Sequence, residues 1–110
     1  MHLSADGTVI RFPSRKEARR FDELLVRLQT GQIQDLRLQV DFTLQEAYTD
    51  ANGHRIRAIR YKADFTYLER DKKENTWKRI VEDAKGKRTK EYVMKKKMMK
   101  DRLGIDIVEV

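Results

Sequence analysis

The apolar residues of this 110-residue chain change their period once, and that change limits what the chain can fold into. Ala18, Phe21, Leu24, Leu25 and Leu28 recur at the three-and-four spacing of one helix face. From Leu36 the spacing drops to two. Leu36, Leu38, Val40 and Phe42 alternate with Arg37, Gln39 and Asp41, the pattern of a half-buried strand. Ser14-Arg15-Lys16-Glu17 stands just ahead of the helical run and matches a capping box, with Ser14 as N-cap and Glu17 at the third helical position. Gly31 is placed to stop the helix. The spacing therefore predicts a helix over residues 14–30, after a polar lead-in that carries a short strand near residues 8–12.

Downstream, Asp50-Ala51-Asn52-Gly53 is a hairpin turn, because Asn-Gly accepts the positive φ such turns require. A second strand is expected over residues 55–68, a polar turn over 71–76 and a third strand over 77–85. Thr89 then caps a second helix that runs to Arg102, with Gly104 placed to end it. On that helix Tyr92, Met99 and Leu103 share one stripe, and Met94 and Met98 form an adjoining arc suited to core or dimer surface. Ile105 to Val110 is apolar with little alternation, as in a strand covered on both faces. Its crossover connection allows it to join the sheet parallel to a neighbour. The fold class is α/β: an αβββαβ core, a mixed four-stranded sheet flanked by two helices. The length suits one domain, residues 1–110, with one modest core.

Composition excludes several kinds of site. There is no cysteine, which removes disulfides and thiolate zinc centres, and two histidines are too few for an imidazole cage. No apolar run approaches the roughly 18 residues a membrane span needs. The N-terminus lacks the apolar centre of a secretion signal, so a cytoplasmic protein without a membrane partner is expected. The net charge is +7, and residues 85–102 hold nine basic residues against two acids, a difference equal to the whole excess. Such a localised positive segment suits a polyanion, most simply nucleic acid. Lys87, Arg88 and Lys90 follow the third strand, where they can contact phosphates without reading sequence. Lys95, Lys96, Lys97 and Lys100 continue the charge along the helix. Lys95 falls between the two apolar arcs, so its ammonium is either aimed towards the acids of the sheet or snorkels in the ordinary way. A solvated helix face without a partner is the plain alternative for the whole run.

Three acids stand out against this basic background. Asp64 lies among Tyr61, Ala63, Phe65 and Tyr67, and Asp83 follows Ile80-Val81-Glu82; both are aspartates inside strands, where propensity and burial disfavour them. Neighbouring strand aspartates repel unless a cation neutralises them. Asp83 and Lys85 share parity and point to one face, whereas Glu82 alternates to the other. Glu17 is in step with Phe21, Leu24 and Leu28, hence on the packed face of the first helix, where a capping role alone would also explain it. An Asp83–Lys85 surface pair is likewise the ordinary alternative for that element. Oxygen donors without His or Cys select Mg²⁺ or Mn²⁺, an ion that stabilises charge on a phosphodiester and acidifies bound water.

The constellation Asp64 … Asp83-Ala84-Lys85, preceded by Glu17 on a first helix, resembles the PD-(D/E)XK nuclease superfamily, whose common core is similar to the αβββαβ order inferred above. Ser14-Arg15-Lys16-Glu17-Ala18, the run from Arg57 to Phe65, and Val81-Glu82-Asp83-Ala84-Lys85-Gly86 look like a family of small phage and prophage proteins assigned to that superfamily. Ala63 stands where the motif's name carries proline. The resemblance implies that Asp64, Asp83 and the carbonyl of Ala84 hold the metal, that Glu17 completes the site directly or through water, and that Lys85 is the catalytic lysine. It implies a Mg²⁺-dependent DNA endonuclease, located in the host cytoplasm if phage-encoded. Size and analogy favour a structure-selective enzyme, a Holliday-junction or branched-DNA resolvase acting as a homodimer. The rivals are a non-catalytic nucleic-acid-binding module on the same fold and a phage structural or regulatory protein that binds a partner through its second helix.

Overall fold

The computed structural model describes residues 2–3, 9–84 and 88–110. Along the chain, short strands β1 (His2–Leu3) and β2 (Val9–Ile10) pair with each other ahead of helix α1 (Arg15–Gln29). Strand β3 (Ile33–Gln45) is followed by β4 (Tyr48–Thr49) and β5 (Arg55–Ile56), then β6 (Ile59–Asp71), β7 (Thr76–Asp83), helix α2 (Lys90–Leu103) and β8 (Ile107–Glu109). The main sheet has the order β3-β6-β7-β8, with β8 parallel to β7 and the other pairs antiparallel. This is a mixed four-stranded α/β sheet with two helices, in the expected αβββαβ order. No helix among the described residues is long and apolar enough to cross a membrane.

Local chemistry sets the ends of these elements. Ser14 Oγ accepts the Glu17 amide at 3.1 Å, as the capping box requires. The Thr89 hydroxyl does the same for the Tyr92 amide at 3.1 Å. Gly104 closes α2 with φ 68°, a left-handed conformation that costs glycine little. At the Asn-Gly turn the Asp50 carboxylate accepts the amides of Asn52 and His54, and β4 pairs with β5 across it.

Three expectations need correction. The second strand does not run unbroken from residue 55: β5 belongs to the small turn ribbon, and β6 pairs with β3 from Ile59, after a register step between Thr43 and Gln45. Leu103 is not part of the core stripe of α2. It is 43% exposed, because the cap at Gly104 turns the chain and Ile105 packs on the core instead. Strand β8 is not covered on both faces; it is the sheet edge, and its Val108 is 43% exposed. The short strand expected near residues 8–12 is β2, with Thr8 outside the described residues.

Each helix covers one face. Val81 packs with Tyr92 and Met99 of α2, whereas Ile80 and Ala84, of opposite parity on the chain, pack with Phe21 and Leu24 of α1. Met99 is fully buried under the sheet, so Met99→Ala is expected to lower stability by about 2–5 kcal/mol. Leu103→Ala, at an exposed position, is expected to stay within about 0.5 kcal/mol. Urea unfolding with unchanged m-values measures both.

Candidate active site

The long β3–β6 hairpin serves both helices, and it changes sides once. Tyr61 and Ala63 belong to the cluster under α2, yet Phe65 and Tyr67, of the same parity, belong to the cluster under α1. The register runs on from Leu38↔Phe65 to Val40↔Ala63, which brackets Gln39 and Asp64. Gln39 has φ 53°, a left-handed conformation that a non-glycine strand residue rarely takes. Its side chain reaches α1, where Gln39 Nε2 donates to Glu17 Oε2 at 3.4 Å.

The acids singled out in the sequence gather around this change of side. Asp64, Asp83 and Glu17 are all buried. Asp64 Oδ2 accepts the amide of Ala84 at 2.8 Å, so a carboxylate from β6 is fixed against the backbone that follows Asp83. Asp83 Oδ2 accepts the hydroxyl of Tyr61 at 2.5 Å, and the Asp83 carbonyl accepts the Val110 amide at 3.0 Å. Burial is the main reason the Tyr61 hydroxyl is held well above its usual range; the bond to Asp83 and the charges of both Asp83 and Asp64 add to it. One phenol thus lies in the field of both carboxylates. The Tyr92 ring of α2 packs on it at 6.3 Å, and Tyr92 is itself pushed up to about 12, first by burial and then by Asp83. Among the described residues no three carboxylate or imidazole side chains are grouped closely enough to hold a metal ion between them. Lys85, the expected lysine, and Lys87 lie outside the described residues.

Glu82 turns away from these acids, as its parity demands, and does something the sequence reading missed. Fully buried on the α1 side, it takes both branches of Arg20, with Nε to Oε1 at 2.9 Å and Nη2 to Oε2 at 2.7 Å. The hydroxyl of Tyr67 donates to the same carboxylate. Arg20 also holds Glu23 at 2.8 Å, and Arg27, farther along the helix, pairs with Glu69 at 2.5 Å and lies over the Tyr67 ring at 5.6 Å. The bond to Glu82 raises the Arg20 pKa, securing its positive charge. Arg20 is three residues beyond Glu17 on α1, so the same clamp fixes where Glu17 sits. The sequence offers only a weak signal for it: an arginine one turn after the cap, in a chain with many arginines.

The family model described as Protein of unknown function (DUF1064) matches residues 3–106, nearly the whole chain. The chain belongs to that family. No curated protein and no solved structure matches it.

In this DUF1064 chain the basic run is less bare than the sequence suggests. The crossover folds α2 back beside β8 and brings Glu109 against Arg88, at 3.4 Å, and against Lys96. Lys100 pairs with Asp106 at 2.7 Å, and Lys95 with Glu91 at 2.9 Å. Among the described residues Lys90 and Lys97 have no carboxylate partner. Paired with Glu91, Lys95 lines a cleft of about 290 Å³ with Asp41, Arg60, Lys62 and the two tyrosines Tyr61 and Tyr92. That cleft opens beside the phenol that holds Asp83. Arg102 adds a link across the sheet by donating to the Leu44 carbonyl at 3.3 Å.

Two measurements probe the Glu82 clamp in the DUF1064 fold. Arg20→Ala leaves a buried carboxylate without its cation and is expected to cost about 3–5 kcal/mol in urea unfolding. Arg20→Lys is expected to recover only part of that, since an ammonium cannot span both oxygens. Tyr67 is pushed up to about 12 from 10.0, first by burial and then by its bond to Glu82. Below pH 10 the hydroxyl is protonated in folded and unfolded chains alike, and its contribution is whole. Between pH 10 and 12 the unfolded chain loses a proton the folded chain keeps, so stability falls as pH rises. Tyr67→Phe is expected to make that alkaline decline shallower, by up to about 1.4 kcal/mol per pH unit, in unfolding curves taken across the window.

Proposed function

We propose that this DUF1064 chain is a Mg²⁺- or Mn²⁺-dependent endonuclease that hydrolyses DNA phosphodiester bonds, in keeping with its resemblance to the PD-(D/E)XK superfamily. The observation that carries this reading is the pair of buried aspartates, Asp64 and Asp83, acting together on the Tyr61 hydroxyl. Two carboxylates buried so near one another repel, and a divalent cation relieves that repulsion. Their donor chemistry fits: magnesium takes hard oxygens and is commonly held by one or two carboxylates, with water and substrate phosphate completing the shell. When bound, the ion acidifies a water and neutralises charge on the phosphate.

Around it the chain's own residues divide the work. Asp64 and Asp83 are the principal ligands, and the Ala84 carbonyl is a third donor. Glu17, steadied by Gln39, would complete the set through water, since the three carboxylates do not converge on one ion. Tyr61, kept protonated, holds Asp83 in one orientation by donating to it. Lys85 orients the attacking water or offsets charge in the transition state. The Arg20–Glu82 clamp fixes α1, and with it Glu17, from the side of the sheet opposite Asp83. Lys90 and Lys97 contact phosphate backbone, and Arg88, Lys95, Lys96 and Lys100 can join them, since exposed ion pairs are worth only about 0–1 kcal/mol and yield to a polyanion. Lys87 belongs to the same group by its place in the sequence. The finer reading is structure-selective cutting of branched or junction DNA by a cytoplasmic homodimer, since two symmetric cuts need two active sites.

One observation favours a second reading, a nucleic-acid-binding module without turnover: Asp64 and Asp83 each accept a protein hydrogen bond that needs no cation. Metal separates the two. For the nuclease, Mg²⁺ or Mn²⁺ is expected to raise the melting temperature, the gain reaching about 2.7 kcal/mol at a hundred times the dissociation constant, and Asp83→Ala is expected to remove both that gain and metal-dependent cleavage of a four-way junction while DNA binding persists. Equal nicking by wild type and Asp83→Ala overturns the assignment. DNA binding with no metal stabilisation and no cleavage selects the module.

A further inference from the structure

We infer that the β6–β7 ribbon is a DNA-gripping surface in its own right, one that holds the duplex arm flanking the scissile phosphate; its position relative to the cut rests on the nuclease reading above. At its tip the Asp71 carboxylate accepts the amides of Lys73 and Glu74, and Asn75 completes the turn with φ 54°. Behind the tip the register is unbroken from Asp71↔Thr76 through Arg70↔Trp77 to Phe65↔Glu82. The result is a stiff corner of the sheet: β3 flanks β6 as far as Glu69, and the last turn reaches beyond it.

Its charges differ from those of α2. Arg70, Lys72, Lys73 and Lys78 have no carboxylate partner among the described residues, and Arg70 is held by the neutral Asn75 at 3.0 Å. Four cations are thus available on one short ribbon, whereas most of the cations described on and just before α2 are already paired with acids. Of the acids on the ribbon, Asp71 is engaged by the turn amides and Glu69 by Arg27, which leaves Glu74 exposed in the turn against the four cations. Among these cations stands Trp77, 41% exposed and directly across from Arg70. An indole left open on a ribbon contributes little to the core. Beside unpartnered cations it forms a flat surface for sugar or base, the combination that nucleic-acid-binding proteins use.

Placement ties the ribbon to the aspartates. Trp77, Arg79, Val81 and Asp83 alternate onto one face of β7, the face on which Val81 packs with α2. The α2 cluster includes Val81 but nothing nearer the tip on this strand, and both Arg79 and Trp77 are exposed. Six residues of strand separate Asp83 from Trp77, about 20 Å, or about six phosphate steps along one DNA strand. Val81 lies under α2, so a duplex would pass outside that helix. With its scissile phosphate beside Asp83, its flanking arm would come within reach of Trp77 and Arg70 about half a helical turn away.

Trp77 is the chain's single tryptophan, so its fluorescence reports this surface alone. The intact protein is titrated with a short linear duplex and with a four-way junction in EDTA, where no cleavage occurs. Quenching or a spectral shift of Trp77 is expected to track binding. In the variant carrying Arg70→Ala, Lys72→Ala and Lys73→Ala, affinity at 0.1 M salt is expected to fall at least tenfold. The slope of log K against log salt is expected to shrink by about 2.7, close to 0.9 for each of the three phosphates no longer neutralised. Circular dichroism melts of the variant check that the fold is kept. Binding with unchanged Trp77 emission, or with the same salt slope in the variant, overturns the inference even if the wild type cuts DNA with Mg²⁺. Quenching and a reduced slope without any cleavage uphold the surface and overturn the nuclease reading.

Discussion

Glu82 is a carboxylate with no exposed surface, and a buried charge of that kind is tolerated only with a partner that neutralises it. Arg20 supplies the charge through both oxygens and Tyr67 supplies a hydroxyl, which ties helix α1 to the two central strands at one point. The consequence reaches beyond docking. Because Glu82 must face Arg20, its neighbour Asp83 must face α2, and a slip of one residue in β7 would exchange them. Asp83 would then lie among Phe21, Leu24 and Phe65, while Glu82 would enter the apolar cluster of Tyr92, Met99 and Ile107. Asp83 would meet Arg20 with a side chain one methylene shorter, and Glu82 would lie where the Tyr61 hydroxyl now meets Asp83. A pair that adds little net energy against an apolar replacement can still specify register, and Arg20–Glu82 is placed to do so.

The sequence was most legible where local chemistry decides the outcome. Ser14, Thr89, Gly104 and the Asn52-Gly53 turn act through hydrogen bonds within a few residues or through φ values, and each appears where the pattern put it. Periodicity placed α1, β3 and α2 to within a few residues for the same reason. It failed where the answer depends on position in the sheet. Ile105 to Val110 reads as a buried strand, but apolar composition does not distinguish a central strand from an edge strand, and Val108 is exposed. Within the candidate site, the burial of Glu17, Asp64 and Asp83 was legible because acids are out of place on apolar faces. Tyr61 and Gln39, which hydrogen-bond to Asp83 and Glu17, were not. A tyrosine in a strand and a glutamine in an alternating run carry no anomaly to notice.

Charge shows the same division between what composition states and what folding decides. Counting along the chain concentrates the positive excess in residues 85–102. Folding brings Asp106 and Glu109 to that segment and removes much of its bareness, while the β6–β7 ribbon keeps cations without carboxylate partners. The ribbon escaped notice because Glu69, Asp71 and Glu74 offset its lysines and arginines in any window of sequence. In three dimensions Glu69 is turned to Arg27 and Asp71 to backbone amides, so neither carboxylate is paired with the ribbon's own cations.

The departure at Gln39 makes the candidate site possible. A left-handed non-glycine residue costs on the order of 1–3 kcal/mol, and such strain persists only where surrounding structure holds it. With regular alternation, Tyr61 would share a face with Phe65 and Tyr67 and lie under α1. Its hydroxyl could not then reach Asp83, which faces α2 on the neighbouring strand. The change of side between Ala63 and Phe65 carries Tyr61 over to that face and leaves Asp64 at the crossing point, against the backbone of Ala84. It also aims the Gln39 amide at Glu17 on the opposite helix. An acid from α1, one from β6 and one from β7 are thus served by a single irregularity in β3, a strand that contributes no acid to the set. Glycine would ease the backbone at this position but would lose the bond to Glu17, so glutamine is the residue that meets both demands.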